Sequence, residues 1–157
     1  MSYELITGKK NLLKLIDDGV IDAISENVGA CSIDVRLDNK LLIESQHPDG
    51  FYQEVDLMNG KKINTHSCII SDCGYALPPG CFVNGYLKEY IKMPDNMIGR
   101  FTLRSIVAQN GLGHALSDTI RQSWQGNLVL ELTNTLKQHN WVLRENFIIG
   151  QIQFFRI

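Results

Sequence analysis

The sequence predicts a mainly β fold, a barrel or sandwich with one helix at its N-terminus. Three observations carry that expectation. Short runs alternate apolar and polar side chains with a period of two. Turn signals recur about every eight to twelve residues. A helical apolar period shows clearly only once, near the start of the chain.

In order, Thr7 is placed to cap a helix whose Leu12, Leu13 and Ile16 share one face, with Gly19 as its stop. Ala30 to Leu37 reads as a strand, with Ile33, Val35 and Leu37 alternating against Ser32, Asp34 and Arg36. Leu41 to Glu44 and Phe51 to Leu57 read as further strands, the second announced by the turn HPDG at His47 to Gly50. Gly60 to Asn64 is a charged hairpin or loop. Ala76 to Cys81, ALPPGC, is a rigid bend, since Pro78 and Pro79 fix φ and Gly80 frees the turn. Cys81 to Met93 supplies one or two strands ending at the turn Pro94 to Asn96. A basic turn at Arg104 and Ser105 follows, then a small-residue segment, a loop, and a strand from Asn127 to Thr133. Trp141 to Leu143 and Ile148 to Ile157 form the last strands, joined by the turn Arg144 to Phe147.

A chain of 157 residues with 44% hydrophobic and 20% charged content is one ordinary globular domain spanning 1–157. The formal net charge of −2 provides no field for nucleic acid or an anionic membrane. No run reads as a signal peptide or a membrane span, which points to the cytoplasm. Cys31, Cys68, Cys73 and Cys81 include no CxxC pair. His66, Cys68 and Cys73 fit no standard zinc spacing, so free thiols in a reducing compartment are expected and no metal ligands are assigned.

Chemistry concentrates between Gly99 and Asn134. In the strand from Asn127, Leu128, Leu130 and Leu132 face one way; Asn127, Val129, Glu131 and Thr133 face the other. Glu131 is either a solvated face residue or a positioned base. A zinc deaminase needs HxE and PCxxC elements, and both are absent. A metal-free alternative needs a carboxylate able to shuttle protons near neutral pH, plus donors for the developing charge.

Five blocks then carry a resemblance: SIDVRL (Ser32–Leu37), PGCFVNGYLKEYIKMPDNMIGRF (Pro79–Phe101), Arg104–Ser105 with Gly111, WQGNLVLELTN (Trp124–Asn134) and IGQIQFF (Ile149–Phe155). Their order resembles the dCTP deaminase branch of the trimeric dUTPase superfamily. The resemblance implies a distorted β-barrel or jelly-roll protomer, a homotrimer with sites between subunits, and a deoxynucleoside triphosphate ligand carrying Mg²⁺ on its phosphates. It implies conversion of dCTP to dUTP and ammonia without zinc, Glu131 activating the water that attacks C4. Ser105 is implied beside it as a catalytic residue. Arg104, Ser105, Gln109, Thr119, Ile120, Arg121 and Trp124 fall on the family's nucleotide-binding positions.

Several of those positions depart from the family pattern. Ile106 stands where a second serine is usual, and Gln109 and Thr119 where arginines are. Arg121 stands where the sugar-binding aspartate belongs, after a one-residue gap between Gly111 and His114. An arginine is no base at neutral pH, which argues against dUTP hydrolysis by the usual route. The sequence ends at Ile157, directly after the last expected strand, where the resemblance implies a tail closing over the nucleotide; that lid is expected to be absent or supplied by something else. Two rivals follow: an inactive nucleotide-binding or trimeric interaction protein of the same fold, and an enzyme for another, modified deoxynucleotide.

Overall fold

A computed structural model describes residues 3–115 and 118–157. After a two-residue strand β1 (Glu4–Leu5), helix α1 runs from Lys9 to Asp17 and buries Leu12 and Leu15. Leu13 and Ile16 are only partly covered. The cap is not Thr7 as expected but Gly8, whose φ of 87° is open to glycine and strained for other residues. Its carbonyl accepts from the N–H groups of Asn11 and Leu12. Gly19 ends the helix as predicted, with φ 72° and its N–H on the Ile16 carbonyl.

The two strands expected around residue 40 are one, β2 (Ile33–Glu44). Phe51 to Leu57 is not a strand. It joins no strand ladder beyond an isolated Asp56–Lys61 bridge, Phe51, Tyr52 and Val55 are exposed, and local turn chemistry takes over. The Asp56 carboxylate accepts from the Asn59 N–H, forming a 3-10 turn over Leu57–Asn59 that ends on Gly60 in the left-handed region. Beyond it lie β3 (Thr65–Ile69), which the sequence reading did not anticipate, and β4 (Tyr75–Leu77). The Pro78–Gly80 turn then feeds a single long strand, β5 (Phe82–Lys92).

Next come β6 (Met97–Leu103), the short helix α2 (Ser105–Gln109), β7 (Leu112–His114), β8 (Thr119–Ile120), β9 (Gln125–Asn134), β10 (Trp141–Leu143) and β11 (Ile148–Arg156). One sheet has the order β7-β9-β5-β2-β11-β6-β8, with β1 added to β11 and β3 to β2; β4 and β10 pair separately. The end strands β7 and β8 are close neighbours in sequence, so the sheet curls until its two ends are joined by one short connection. This is the mainly β, dUTPase-like half-barrel with a helix before it. Ile33, Val35, Leu37, Val83, Leu87, Leu130, Leu132, Ile152 and Phe154 fill its interior.

The sheet bends where the ladders slip. Four residue steps along β5, from Tyr86 to Tyr90, span two along β9, from Val129 to Asn127. Four steps along β2, from Leu37 to Leu41, span two along β5, from Leu87 to Gly85. Each slip inserts an even number of residues, so the inside–outside alternation keeps its phase on both sides. Side chains satisfy the freed backbone. The Asn127 amide donates to the Leu87 and Lys88 carbonyls, and the Glu89 carboxylate accepts the Arg36 N–H at 2.8 Å. Glu89 also takes Arg36 Nε at 2.8 Å and is 0% exposed, while Arg36 retains 21%. Close packing adds a second constraint at Gly150, where a Cβ would come 2.3 Å from the Phe101 ring.

Candidate functional site

Glu131 lies in the middle of β9, opposite Asn84 of β5. Its neighbours Leu130 and Leu132 point into the core and are fully covered, as the alternation predicted. Its own side chain is 30% exposed, and Oε2 lies 3.3 Å from Nε2 of His114, the last residue of β7. His114 is 8% exposed at the side chain. The ladder sets this approach: His114 pairs with Leu132, and the Ala115 N–H donates to the Glu131 carbonyl at 3.0 Å. The imidazole stands edge-on to Phe101 of β6, centroids 5.0 Å apart and planes 72° apart. The carboxylate–imidazole contact is close but poorly aligned. Neither Nε2 nor Oε2 has another well-directed partner among the described residues.

Burial pushes the His114 pKa below its ordinary value. The charges of Glu131 and Asp118 push it back up without reversing the shift. The imidazole is therefore neutral at neutral pH. Sequence reading had passed over His114. Its signal was faint: one histidine three residues beyond Gly111, in a segment whose alignment was blurred by the gap.

Arg104 and Ser105 begin α2 at the surface. The Arg104 N–H is held by the Ile149 carbonyl, and its guanidinium lies 3.9 Å from Asp34 on β2. With only five residues, α2 adds little dipole, so Arg104 supplies the positive charge here. Ile106 and Gln109 are exposed on the same short helix.

The third group is the β8 segment. Thr119 is exposed and donates its hydroxyl to Asp118, whose carboxylate also accepts Arg100 Nε at 2.8 Å. That bond from Arg100 holds Asp118 below the usual carboxylate range. Ile120 is 2% exposed, so its side chain belongs to the core and only its main chain could meet a ligand. Arg121 is exposed; the Trp124 N–H closes a turn onto its carbonyl. Ser123 in that turn has φ 58°, a conformation that favours glycine. Trp124 packs partly against the core, its ring lying against Gly126.

Thus the structure joins Glu131 to His114, Arg104 to Asp34, and Thr119 to Asp118 and Arg100. Among the described residues no ion pair links Arg104 or Arg121 to Glu131. A cleft of about 700 Å³ lies between residues 43–55, residues 62–64 and the Tyr75–Phe82 segment and contains none of the predicted site residues. A smaller one of about 310 Å³ includes Thr119 beside Arg100 and Asp118. No group of three or more His, Cys, Asp or Glu among the described residues could hold a metal ion. Among the described residues no helix is long and apolar enough to cross a membrane.

The site is thus a half-buried carboxylate beside a buried imidazole on a curled sheet, with exposed arginines on separate segments. The chain belongs to the dCTP deaminase-like family, whose model matches residues 6–157. The dCTP deaminase of Actinobacillus pleuropneumoniae serotype 5b is 30% identical over 152 residues, covering 90% of this chain and 78% of the relative. That of Wigglesworthia glossinidia brevipalpis is 35% identical over 140 residues, covering 82% and 70%. The crystal structure of the Agrobacterium tumefaciens 2'-deoxycytidine 5'-triphosphate deaminase superposes with a TM-score of 0.74 at 20% identity. It covers 100% of this chain, which in turn spans 49%, about half, of that solved chain. At that identity the superposition speaks for the fold.

Proposed function

We propose that the protein is a dCTP deaminase producing dUTP and ammonia, with Glu131 as the group that moves protons. The observation that carries this reading is the Glu131–His114 contact on paired strands, in a chain of the dCTP deaminase-like family. In its ionised form Glu131 takes a proton from water as the oxygen adds to C4 of cytosine. The C4=N3 electron pair moves to N3, which receives that proton; Glu131 then carries the C4 hydroxyl proton to the amino group, the C4–N bond breaks, and ammonia leaves as the carbonyl forms. Arg104 and Ser105 hold the triphosphate, with Thr119, the Ile120 main chain, Arg121 and Trp124 around the nucleoside and Gln109 flanking the phosphates. Mg²⁺ bound to the phosphates would offset their charge.

A homotrimer belongs to this proposal. Among the described residues no hydrogen bond or ion pair joins the predicted phosphate and base residues to Glu131, and the 700 Å³ cleft lies elsewhere. A site completed by a neighbouring copy accounts for both. Exposed Ile106 and Val129 supply apolar surface beside the candidate residues for such a contact.

The test is incubation with dCTP and Mg²⁺, products followed by chromatography, beside Glu131→Gln. The expected result is dUTP from the unaltered protein and at least a hundredfold less from the variant. The substitutions at Ile106, Gln109, Thr119 and Arg121 favour a second reading, a nucleotide-binding protein without turnover. Thermal stabilisation by dCTP with no product would select it. Turnover of a modified deoxynucleotide in place of dCTP would select a changed substrate. Light scattering showing a monomer would remove the intersubunit site.

A further inference from the structure

We infer that His114 is the positioning residue of this site, its Nε2–H held against Oε2 of Glu131 so that the other carboxylate oxygen faces the reacting water. The inference rests on the deaminase reading and goes beyond it in naming how the base is oriented. Four observations support it. The two atoms are 3.3 Å apart, and each is buried without another well-directed partner among the described residues. Buried polar atoms are costly to leave unpaired, so a small rotation that aligns this pair is favoured by the desolvation each has already undergone. Both residues stand on paired strands, and Phe101 fixes the plane of the imidazole. With Glu131 ionised, the facing nitrogen must carry the hydrogen, because two lone pairs at this distance repel.

The neutral charge of the imidazole matters to the chemistry. A full cation beside Glu131 would stabilise the carboxylate and weaken it as a base, whereas a neutral N–H orients it with a smaller loss of basicity. Arginine in the same place would bind the carboxylate more tightly and accept no change of state. The other charged groups facing this corner are Asp118, on the segment entering β8, and Arg100 of β6, already engaged with Asp118. Neither supplies Glu131 with a competing ion pair among the described residues.

The experiment has two arms, both on the full chain. His114→Leu keeps apolar volume against Phe101 and removes the donor; His114→Gln returns an amide near the position of Nε2. For Leu, kcat on dCTP is expected to fall about 10- to 100-fold with KM within about twofold, and the acid limb of kcat to move to higher pH. Gln is expected to recover most of the lost kcat. Unchanged kcat in Leu, or equal losses in Leu and Gln with both variants folded, overturns the inference. The second arm needs no turnover: NMR titration of the His114 ring protons in unaltered protein and in Glu131→Gln. The midpoint is expected to drop by about one pH unit when the carboxylate charge is removed; an unmoved midpoint overturns the contact. Absence of dUTP from the unaltered protein would instead sink the deaminase reading, leaving the titration to decide the pair.

Discussion

Removing the Glu89 carboxylate tests whether the bulge that shapes the sheet is held by a side chain acting in place of a strand. Glu89 is wholly buried and accepts two bonds at 2.8 Å, from the Arg36 N–H and from Arg36 Nε. Breaking a buried pair by deleting one partner costs about 3–5 kcal/mol. Arg36 keeps 21% of its side-chain exposure, so its guanidinium regains some water and the lower end of that range applies. The orphaned N–H adds about 1 kcal/mol. Glu89→Ala should therefore lose about 4 kcal/mol, or roughly 8–16 °C in Tm for a chain of this size. Glu89→Gln, which keeps one acceptor oxygen, should lose about half as much. Urea and thermal unfolding followed by circular dichroism, at one fixed protein concentration, measure both. A double substitution, Arg36→Met with Glu89→Leu, should recover only part of the loss, because the residue 36 N–H stays unpaired. A loss below about 1 kcal/mol for Glu89→Ala, or full recovery in the double variant, would refute the reasoning.

Three further outcomes follow from the same geometry. Gly150→Ala drives a methyl to within 2.3 Å of the Phe101 ring and should cost about 2–3 kcal/mol in urea unfolding, although the φ there suits alanine. Stability should fall in acid through His114. Its folded pKa lies below the ordinary 6.5, so the contribution is complete above 6.5 and is lost as pH falls through that value toward the folded one. The Tm of His114→Gln should lose that part of its pH slope. Arg104→Ala should weaken dCTP binding about tenfold, read as a raised KM and a smaller ligand-induced thermal shift, while leaving the free protein's Tm within about 2 °C, since its bond to Asp34 is long and exposed.

The fold was legible in sequence where period and packing agree. Asn127 to Thr133 alternates as a strand and is one, because Leu128, Leu130 and Leu132 turn toward the core and the other side chains do not. Phe51 to Leu57 has strand-like residues but no ladder to join, and the Asp56 turn prevails. The N-cap was misplaced by one residue because a side-chain cap was expected where backbone freedom at Gly8 was what mattered. Within the site, Glu131 could be read from its place in a strand and from family resemblance. His114 could not. Its role depends on β7 lying against β9, a pairing that brings together residues far apart along the chain and leaves no local period.

The distribution of changed and retained positions has a structural logic. Glu131 is held between β5 and β7 on a strand whose register is fixed by buried leucines, so moving it by one place would turn every β9 side chain to the wrong face. Ile106, Gln109, Thr119 and Arg121 stand instead on exposed positions of α2 and of the β8 segment. Substitutions there usually alter stability by no more than about 0.5 kcal/mol. Those positions can change while the register that fixes the carboxylate stays as it is. In this fold, changing the exposed positions of α2 and the β8 segment costs less stability than changing the register that holds Glu131. Under the proposed function, the arginine at position 121 is therefore expected to bear first on substrate choice and only then on whether Glu131 still acts.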